Sequence, residues 1–515
     1  MKKYNSIKFA IAALLVPLIF YGCTDDFEEI NTDPRVLTEL DAATLGNMYA
    51  RLQYRGFYMD YHQVSQNLFA DHYCQYFANT QNAFSSDRYV LVGGWLNSAW
   101  NSFYSNIPNN MGELLDATDP AVNPGFETLH AVAQIWRVIV YERIANYWGP
   151  IPYTQVNNGE PSVPYDSERD IYLSFFTTLD DALAILNANR GGNAYGANDQ
   201  IYGGDIDKWI TFANTLRLRI ALRISNVEPT IAQTEAEKAV AAGVMTSNDD
   251  DAEFQCTANS IHNMPRMIPW NEFRMSSAME STLRGYDDPR IGIFFSPAVD
   301  PEFGEYRGLR NGYEIVDLAK PELFYDKLSA IGPKWQPVDA QNSITWEIML
   351  SPEAYFLRAE GALKGWNMGG TAEDFYNMGI EKSMMYWGIT DQAAIAAYQQ
   401  SSNVPIATHD APTPISTVPV KYDPAVALEQ IMTQKWLGLY PDGWEAWAEV
   451  RRTDLPNMYP RMASENADVG PDEMMRRVQF VSGEYETNRT AVDDAIQKLG
   501  GPDKGSTRLW WNPDN

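Results

Sequence analysis

Histidine and cysteine are scarce: five and three of them in 515 residues. His62, His72, His130, His262 and His409 lie far apart, and none has His or Cys partners at zinc-binding spacing. Cys23 apart, only Cys74 and Cys256 remain. Two cysteines make no disulfide framework, and two separate buried thiols are expected. The signatures G-x-S-x-G, H-E-x-x-H, the P-loop and G-x-G-x-x-G are all missing. Asp249-Asp250-Asp251 lacks the glycine and distal glutamate of a calcium loop and reads as a solvated acidic turn. Basic residues are also in deficit, 39 Lys+Arg against 67 Asp+Glu, a net charge of −28. Such a surface repels phosphate backbones and anionic membranes, which argues against nucleic-acid binding. With so many acids any carboxylate pair could be proposed for glycoside hydrolysis, so that pattern carries no weight.

No apolar run approaches the roughly 20 residues that span a bilayer core. The first 22 residues instead have the parts of a secretion signal. Lys2, Lys3 and Lys8 form a basic end, Phe9 to Phe20 an apolar run, and Gly22 a small residue at the close. Phe20-Tyr21-Gly22 is not an A-x-A cleavage site, whereas Gly22-Cys23 resembles the end of a bacterial lipobox. The expectation is a signal peptide over 1–22, a lipidated Cys23 and an acidic tether over 23–40. Two or more acyl chains anchor stably where one binds marginally. Cleavage would remove three lysines and no acid, taking the charge from −28 to −31.

The remainder, 41–515, is read as one domain. At 45% hydrophobic and 13% aromatic it can bury a large core. Its clearest periodicity is helical. In 128–148, Leu129, Val132, Ala133, Trp136, Val140, Ile144 and Tyr147 form one stripe, closed by Gly149-Pro150. Further helices are expected at 168–188, 206–225 and 230–242. In 206–225 Trp209, Ala213, Leu216, Ile220 and Ile224 face inward, and Arg217, Arg219 and Arg223 mostly elsewhere. The pattern returns at 352–366, with Phe356, Ala359, Leu363 and Trp366, at 372–387, with Gly379 as its small contact, and at 424–447. Small and large residues alternating over pairs near 34 residues resemble tetratricopeptide repeats, but the period is irregular. The expected fold is therefore mostly α, a scaffold of irregular tetratricopeptide-like helix pairs. Long loop-rich segments, 70–125 and 250–350, carry minor β structure, and 401–420 is a surface loop.

Several stretches carry more than periodicity: NYWGPIPY (146–153), KWITFANTLRLRIALRI (208–224), GYDDPRIGIFF (285–295), YFLRAEGALKG (355–365), QKWLGLYPDGWEAWAEVRRTDLP (434–456) and RLWWN (508–512). Together, and in this order, they resemble the SusD/RagB family of nutrient-binding outer-membrane lipoproteins. Asn31-Thr32-Asp33-Pro34 is typical of its SusD-like group two branch. The resemblance implies a lipoprotein of Bacteroidota on the outer face of the outer membrane. Thr24-Asp25-Asp26-Phe27-Glu28-Glu29 then looks like that phylum's surface-export signal. It further implies binding without catalysis, no cofactor, and a SusC-type TonB-dependent β-barrel as partner, to which an oligosaccharide or oligopeptide is passed.

The ligand is then expected on the loop-rich face, against aromatic side chains. Trp136, Trp209, Trp366, Trp387, Trp436 and Trp447 follow helical stripes and are assigned to the core. Loop aromatics are the candidates: Tyr89, Trp95 and Trp100 with Asn101 in the first segment, and Trp270, Tyr306 and Trp335 in the second. Arg307 and Arg310 could supply a local basic patch. Two rival readings stand beside this one, a surface hydrolase acting on the same nutrient and a scaffold that binds no small ligand.

Overall fold

The computed structural model describes residues 41–58, 62–160, 162–336 and 343–513. The signal-like segment and tether, including Cys23, lie outside them. Contacts divide the chain into two units, Met1–Leu45 and Gly46–Asn515. Of the first, only the start of helix α1 (Ala42–Tyr58) is described, where Asp41 accepts the Thr44 N–H at 2.7 Å.

In the second unit, after a nine-residue π-helix (Gln63–Asp71), α-helices of eight residues or more follow α1 in this order. They are α2 (Gly93–Asn106), α3 (Pro108–Thr118), α4 (Glu127–Trp148), α5 (Glu168–Ala188), α6 (Ile206–Arg223) and α7 (Pro229–Ala242). After these come α8 (Ser277–Gly285), α9 (Ser351–Leu363), α10 (Ala372–Tyr386), α11 (Gln392–Gln399), α12 (Ala427–Leu439), α13 (Gly443–Thr453) and α14 (Arg489–Leu499). Four antiparallel-style pairs, α4/α5, α6/α7, α9/α10 and α12/α13, make the tetratricopeptide-like scaffold, and α9 packs on both α6 and α12. Side-chain caps start many of these helices: Ser167 for α5, Asp205 for α6, Thr371 for α10 and Asp442 for α13. Gly149, at φ +87°, ends α4 where the sequence places its stop. Strand is confined to two antiparallel ribbons, β1 (Phe77–Asn79) with β3 (Phe273–Met275) and β2 (Ala252–Gln255) with β4 (Thr345–Met349).

Close approach of the helices depends on missing side chains. The buried ring of Phe356 on α9 lies between Gly379 of α10 and Gly438 of α12. A Cβ at those positions would stand 2.6 Å and 3.1 Å from the ring.

Four expectations change. The segment 70–125 is not chiefly loop, since α2 and α3 occupy much of it. Leu96, Ala99, Trp100, Phe103 and Ile107 keep helical spacing there and are all buried. Helix α9 stops at Leu363, which is exposed, and Trp366 lies beyond it, half-buried. Asp251 is not a solvated turn residue: it is buried, accepts the Ser351 N–H at 2.6 Å, and burial pushes its carboxyl up to about 7.

The fourth is the largest. Arg217, Arg219 and Arg223 are buried, because α6 is enclosed by α5, α7, α9 and α4. Arg219 grips Glu353 of α9 with two bonds at 2.7 and 2.6 Å. Arg223 donates to Glu445 of α13 at 2.5 Å. Nearby, Arg452 holds Glu360 at 2.8 and 2.6 Å and Glu449 at 2.9 and 2.7 Å, while Lys435 reaches Glu449 at 2.7 Å. Buried carboxylates facing arginine forks tie α6, α9, α12 and α13 together.

Candidate functional site: an aromatic rim on the loop-rich face

The β1–β3 ribbon sets two turns side by side. Asn79 pairs with Phe273, the Thr80 N–H donates to Glu272 O at 3.0 Å, and the Thr80 hydroxyl donates to Asn271 O. From the same strand end, the Asn79 amide donates to Gln81 O at 2.6 Å and Phe84 O at 2.8 Å, closing the first turn. That turn presents Phe84, whose ring lies 5.6 Å from Trp95 of α2. The second turn ends at Trp270, which is exposed. Beneath it Arg274 is buried, donating to Asn271 Oδ1 at 2.6 Å and to Tyr325 O at 3.0 Å, with its guanidinium 5.3 Å from the Tyr325 ring. Burial pushes Arg274 down to about 10. Tyr325 and Phe324 are both about half exposed. Asp326 O accepts the Asp300 N–H at 2.8 Å, and Lys327 binds Asp300 and Glu302 at 2.6 and 2.7 Å. Next along is Phe303, also half exposed, flanked by Arg307 at 4.6 Å and Lys327 at 5.3 Å.

These contacts link Phe84, Trp95, Trp270, Tyr325 and Phe303 into an aromatic rim built on loops. Among the described residues, seven of the thirteen exposed large apolar side chains fall between Trp270 and Tyr325. That concentration makes this stretch of the chain the candidate for a binding surface.

Behind the rim one carboxylate gathers three distant segments. Asp87 is buried and accepts from Asn79 N at 3.1 Å, Asn311 Nδ2 at 2.8 Å, Gly312 N at 3.2 Å and Arg461 Nη1 at 2.7 Å. Burial pushes its carboxyl up, but His72, Arg461 and these donors together hold it below the usual value.

The sequence candidates divide. Trp95 and Trp270 belong to the rim. Tyr306 is half-buried in the chain between Phe303 and Arg307. Asn101 is exposed on α2, but six residues, about 240° of helix, separate it from Trp95, so the two do not share a face. Trp100 is buried among Tyr104, Trp148 and Tyr165, with centroids at 4.4, 5.2 and 6.0 Å. Trp335 has no exposed surface and packs on Trp387 and Tyr440. Tyr89 is buried too: its hydroxyl donates to Glu473 O at 2.9 Å and Arg461 lies 4.1 Å over its ring. Trp100 and Trp335 offer a ligand no open ring face, and Tyr89, though buried, lines a small cleft with Tyr73 and Tyr459. Arg307 is buried and donates to Glu322 O, and Arg310 donates to Asp410 O, so neither forms an open basic patch. Sequence reasoning did not single out Phe84, Phe303, Phe324 or Tyr325. PEFGEY and PELFYDK, where aromatics follow proline and sit among acids, carry a signal for the last three, and Phe84 has none. Among the described residues no cluster of His, Cys, Asp and Glu could hold a metal ion, and Cys74 and Cys256 are buried and unpaired with each other.

A family model described as SusD-like, Susd and RagB outer membrane lipoprotein, matches residues 29–512. The chain belongs to the SusD-like family. Its architecture agrees with solved SusD-like structures. A chitin-binding SusD homologue from Flavobacterium johnsoniae is 32% identical, with a TM-score of 0.82 over 92% of this chain and 99% of that one. A SusD-like protein from Bacteroides thetaiotaomicron is also 32% identical, with a TM-score of 0.81 over 92% and 99%. A SusD homologue from Bacteroides vulgatus is 30% identical, with a TM-score of 0.81 over 91% and 97%. No curated protein matches the chain. The SusD-like family is one of outer-membrane lipoproteins, and no described helix is long and apolar enough to cross a membrane.

Proposed function

We propose that this SusD-like protein is a cell-surface nutrient-binding lipoprotein. It is anchored through Cys23, captures an oligosaccharide on the aromatic rim, and passes it to a SusC-type TonB-dependent transporter. The observation that carries this reading is the exposure of Trp270, Tyr325 and Phe303 on one loop-built rim, backed by buried polar contacts. Ring faces of this kind stack on the flat apolar faces of sugars, while amides such as Gln81 and Asn271 reach hydroxyls. The likeness to a chitin-binding homologue supports a glycan over other cargo.

Each stacked ring contributes about 0.5–1.5 kcal/mol beyond area burial. Three rings therefore add about 1.5–4.5 kcal/mol, which by itself corresponds to affinity of about millimolar or weaker. Such binding suffices where a tether keeps the ligand close to a transporter. Calorimetry with chitin oligomers and other neutral oligosaccharides tests the reading: Trp270→Ala and Tyr325→Ala are expected to weaken binding about tenfold each. Unchanged affinity in both variants, or turnover of the sugar, would overturn it. A β-barrel recovered in stoichiometric amount from gently solubilised outer membranes is the expected result for the partner.

A further inference from the structure

A second cleft shares no residue with the rim. It has a volume of about 460 Å³ and opens between α1 and the 257–260 turn, within the roughly 300–1,000 Å³ typical of ligand sites. Its floor is aromatic: Tyr54 and Phe254 lie near parallel, centroids 6.0 Å apart and planes 25° apart. The Tyr54 hydroxyl donates to Ile261 O at 3.3 Å, which fixes the ring. One wall is Gln200, whose N–H donates to Gln53 Oε1 at 2.9 Å, and Gln53 is itself bonded to buried Asp199 at 2.7 Å. Gln200 Nε2 donates to Ala197 O at 2.9 Å, which holds this side chain in the cleft lining. The opposite lip is a closed turn, with the Thr257 and Ser260 hydroxyls 2.8 Å apart and Asn259 beside them.

The lining carries two cations in a chain of net charge −28. Arg51 and Arg55 are four residues apart on α1 and so share a face. Arg55 lies 5.7 Å over the Tyr54 ring. Arg51 is exposed and donates at 3.5 Å to the neutral amide of Asn106, with no carboxylate in ion-pair range among the described residues. A neutral sugar would use the floor and the amides but would leave the exposed Arg51 guanidinium without a carboxylate. We infer that the Arg51–Arg55 cleft is a second binding site, for an oligosaccharide that carries a carboxylate. The rings take the flat sugar face, the amides and hydroxyls take its hydroxyls, and a guanidinium forks onto the carboxylate. Charge limits the ligand as well. A lone carboxylate seated at the arginines feels them within about 8 Å, the screening length, whereas a densely charged polyanion also meets the acidic body.

Titration calorimetry on the lipid-free protein tests this with an aldotriouronic acid, a trisaccharide that carries one carboxylate, and its methyl ester, which has the same rings without the charge. The acid is expected to bind about tenfold more tightly than the ester, the scale of one charge-assisted hydrogen bond. Arg51→Gln removes that preference, added salt weakens only the acid, and the preference of acid over ester survives Trp270→Ala. Because Arg51 is exposed, its variant is expected to melt with the parent. Equal binding of acid and ester, no binding of the acid, or a preference that survives Arg51→Gln and Arg55→Gln would overturn the proposal. Loss on Trp270→Ala alone would place the acid on the rim and overturn it equally.

Discussion

Replacing Arg452 by Met removes the fork that binds both Glu360 and Glu449, and the two acids do not suffer alike. Glu449 keeps Lys435 at 2.7 Å and Arg223 at 3.3 Å. Glu360 is left, almost fully buried, with only the Lys364 ammonium at 3.7 Å. Breaking one partner of a buried pair costs about 3–5 kcal/mol, because an uncompensated charge stays in a low-dielectric interior. Unfolding entropy is about 2.1 cal/mol/K per residue. Over the roughly 470 residues of Gly46–Asn515 that is about 1 kcal/mol/K, so the melting temperature should fall by about 3–5 °C. Differential scanning calorimetry reads the fall. Adding Glu360→Gln to Arg452→Met discharges the stranded carboxylate and should recover much of it, while sugar binding at the rim stays as in the parent. A loss below about 1 kcal/mol, or a double variant less stable than the single one, would refute the stranded-carboxylate argument.

At the crossing of α9 and α10, Gly379→Ala sets a Cβ 2.6 Å from a Phe356 ring that Gly438 blocks from retreating. Overpacking of about 1–3 kcal/mol should outweigh the gain of up to about 1 kcal/mol in helix propensity, giving a net loss in urea unfolding. His262 is buried, stacked 4.3 Å from Trp346 and 6.1 Å from His62, and burial holds its imidazole well below the usual value. A depressed folded-state value means the unfolded chain binds the extra proton. Its stabilisation is therefore present above about pH 6.5 and lost as the pH falls toward the folded-state value. Urea midpoints for His262→Gln should approach those of the parent from about pH 8 to about pH 5, and a constant gap would contradict this. Cys23→Ala should move the protein from the outer membrane to the soluble fraction. Membrane retention with no acyl chain by mass spectrometry would count against the anchor.

The scaffold was legible because amphipathic stripes repeat a local spacing: α4, α5, α6 and α7 begin and end within two residues of expectation. Helix α2 has equally good spacing but opens with two glycines and is rich in Trp, Ser and Asn, which pattern reading assigns to loops. The arginines of α6 defeat pattern reading for another reason. An arginine off the apolar stripe reads as solvent-facing, and the acids that bury it, Glu353 and Glu445, are 134 and 222 residues from their partners. The same limit divides the tryptophans. Trp270 and Trp335 sit in similar proline-rich turns, yet one is exposed and the other enclosed by Trp387 and Tyr440, from segments remote in sequence. For these two residues loop location was readable, and loop burial was not.

Asp87 has a kinetic consequence. Segments that end on the same buried carboxylate resist opening, because freeing any of them takes a hydrogen bond from a buried charge. On the proposed reading, a cargo molecule meets a surface that is already in place, and little ordering entropy is spent at encounter. Capture then runs at the collision-limited pace of a fixed surface, and the discrimination between one cargo and another lies in how long each stays. Exchanging the side chains at the rim's edge resets those residence times without touching the frame that holds them.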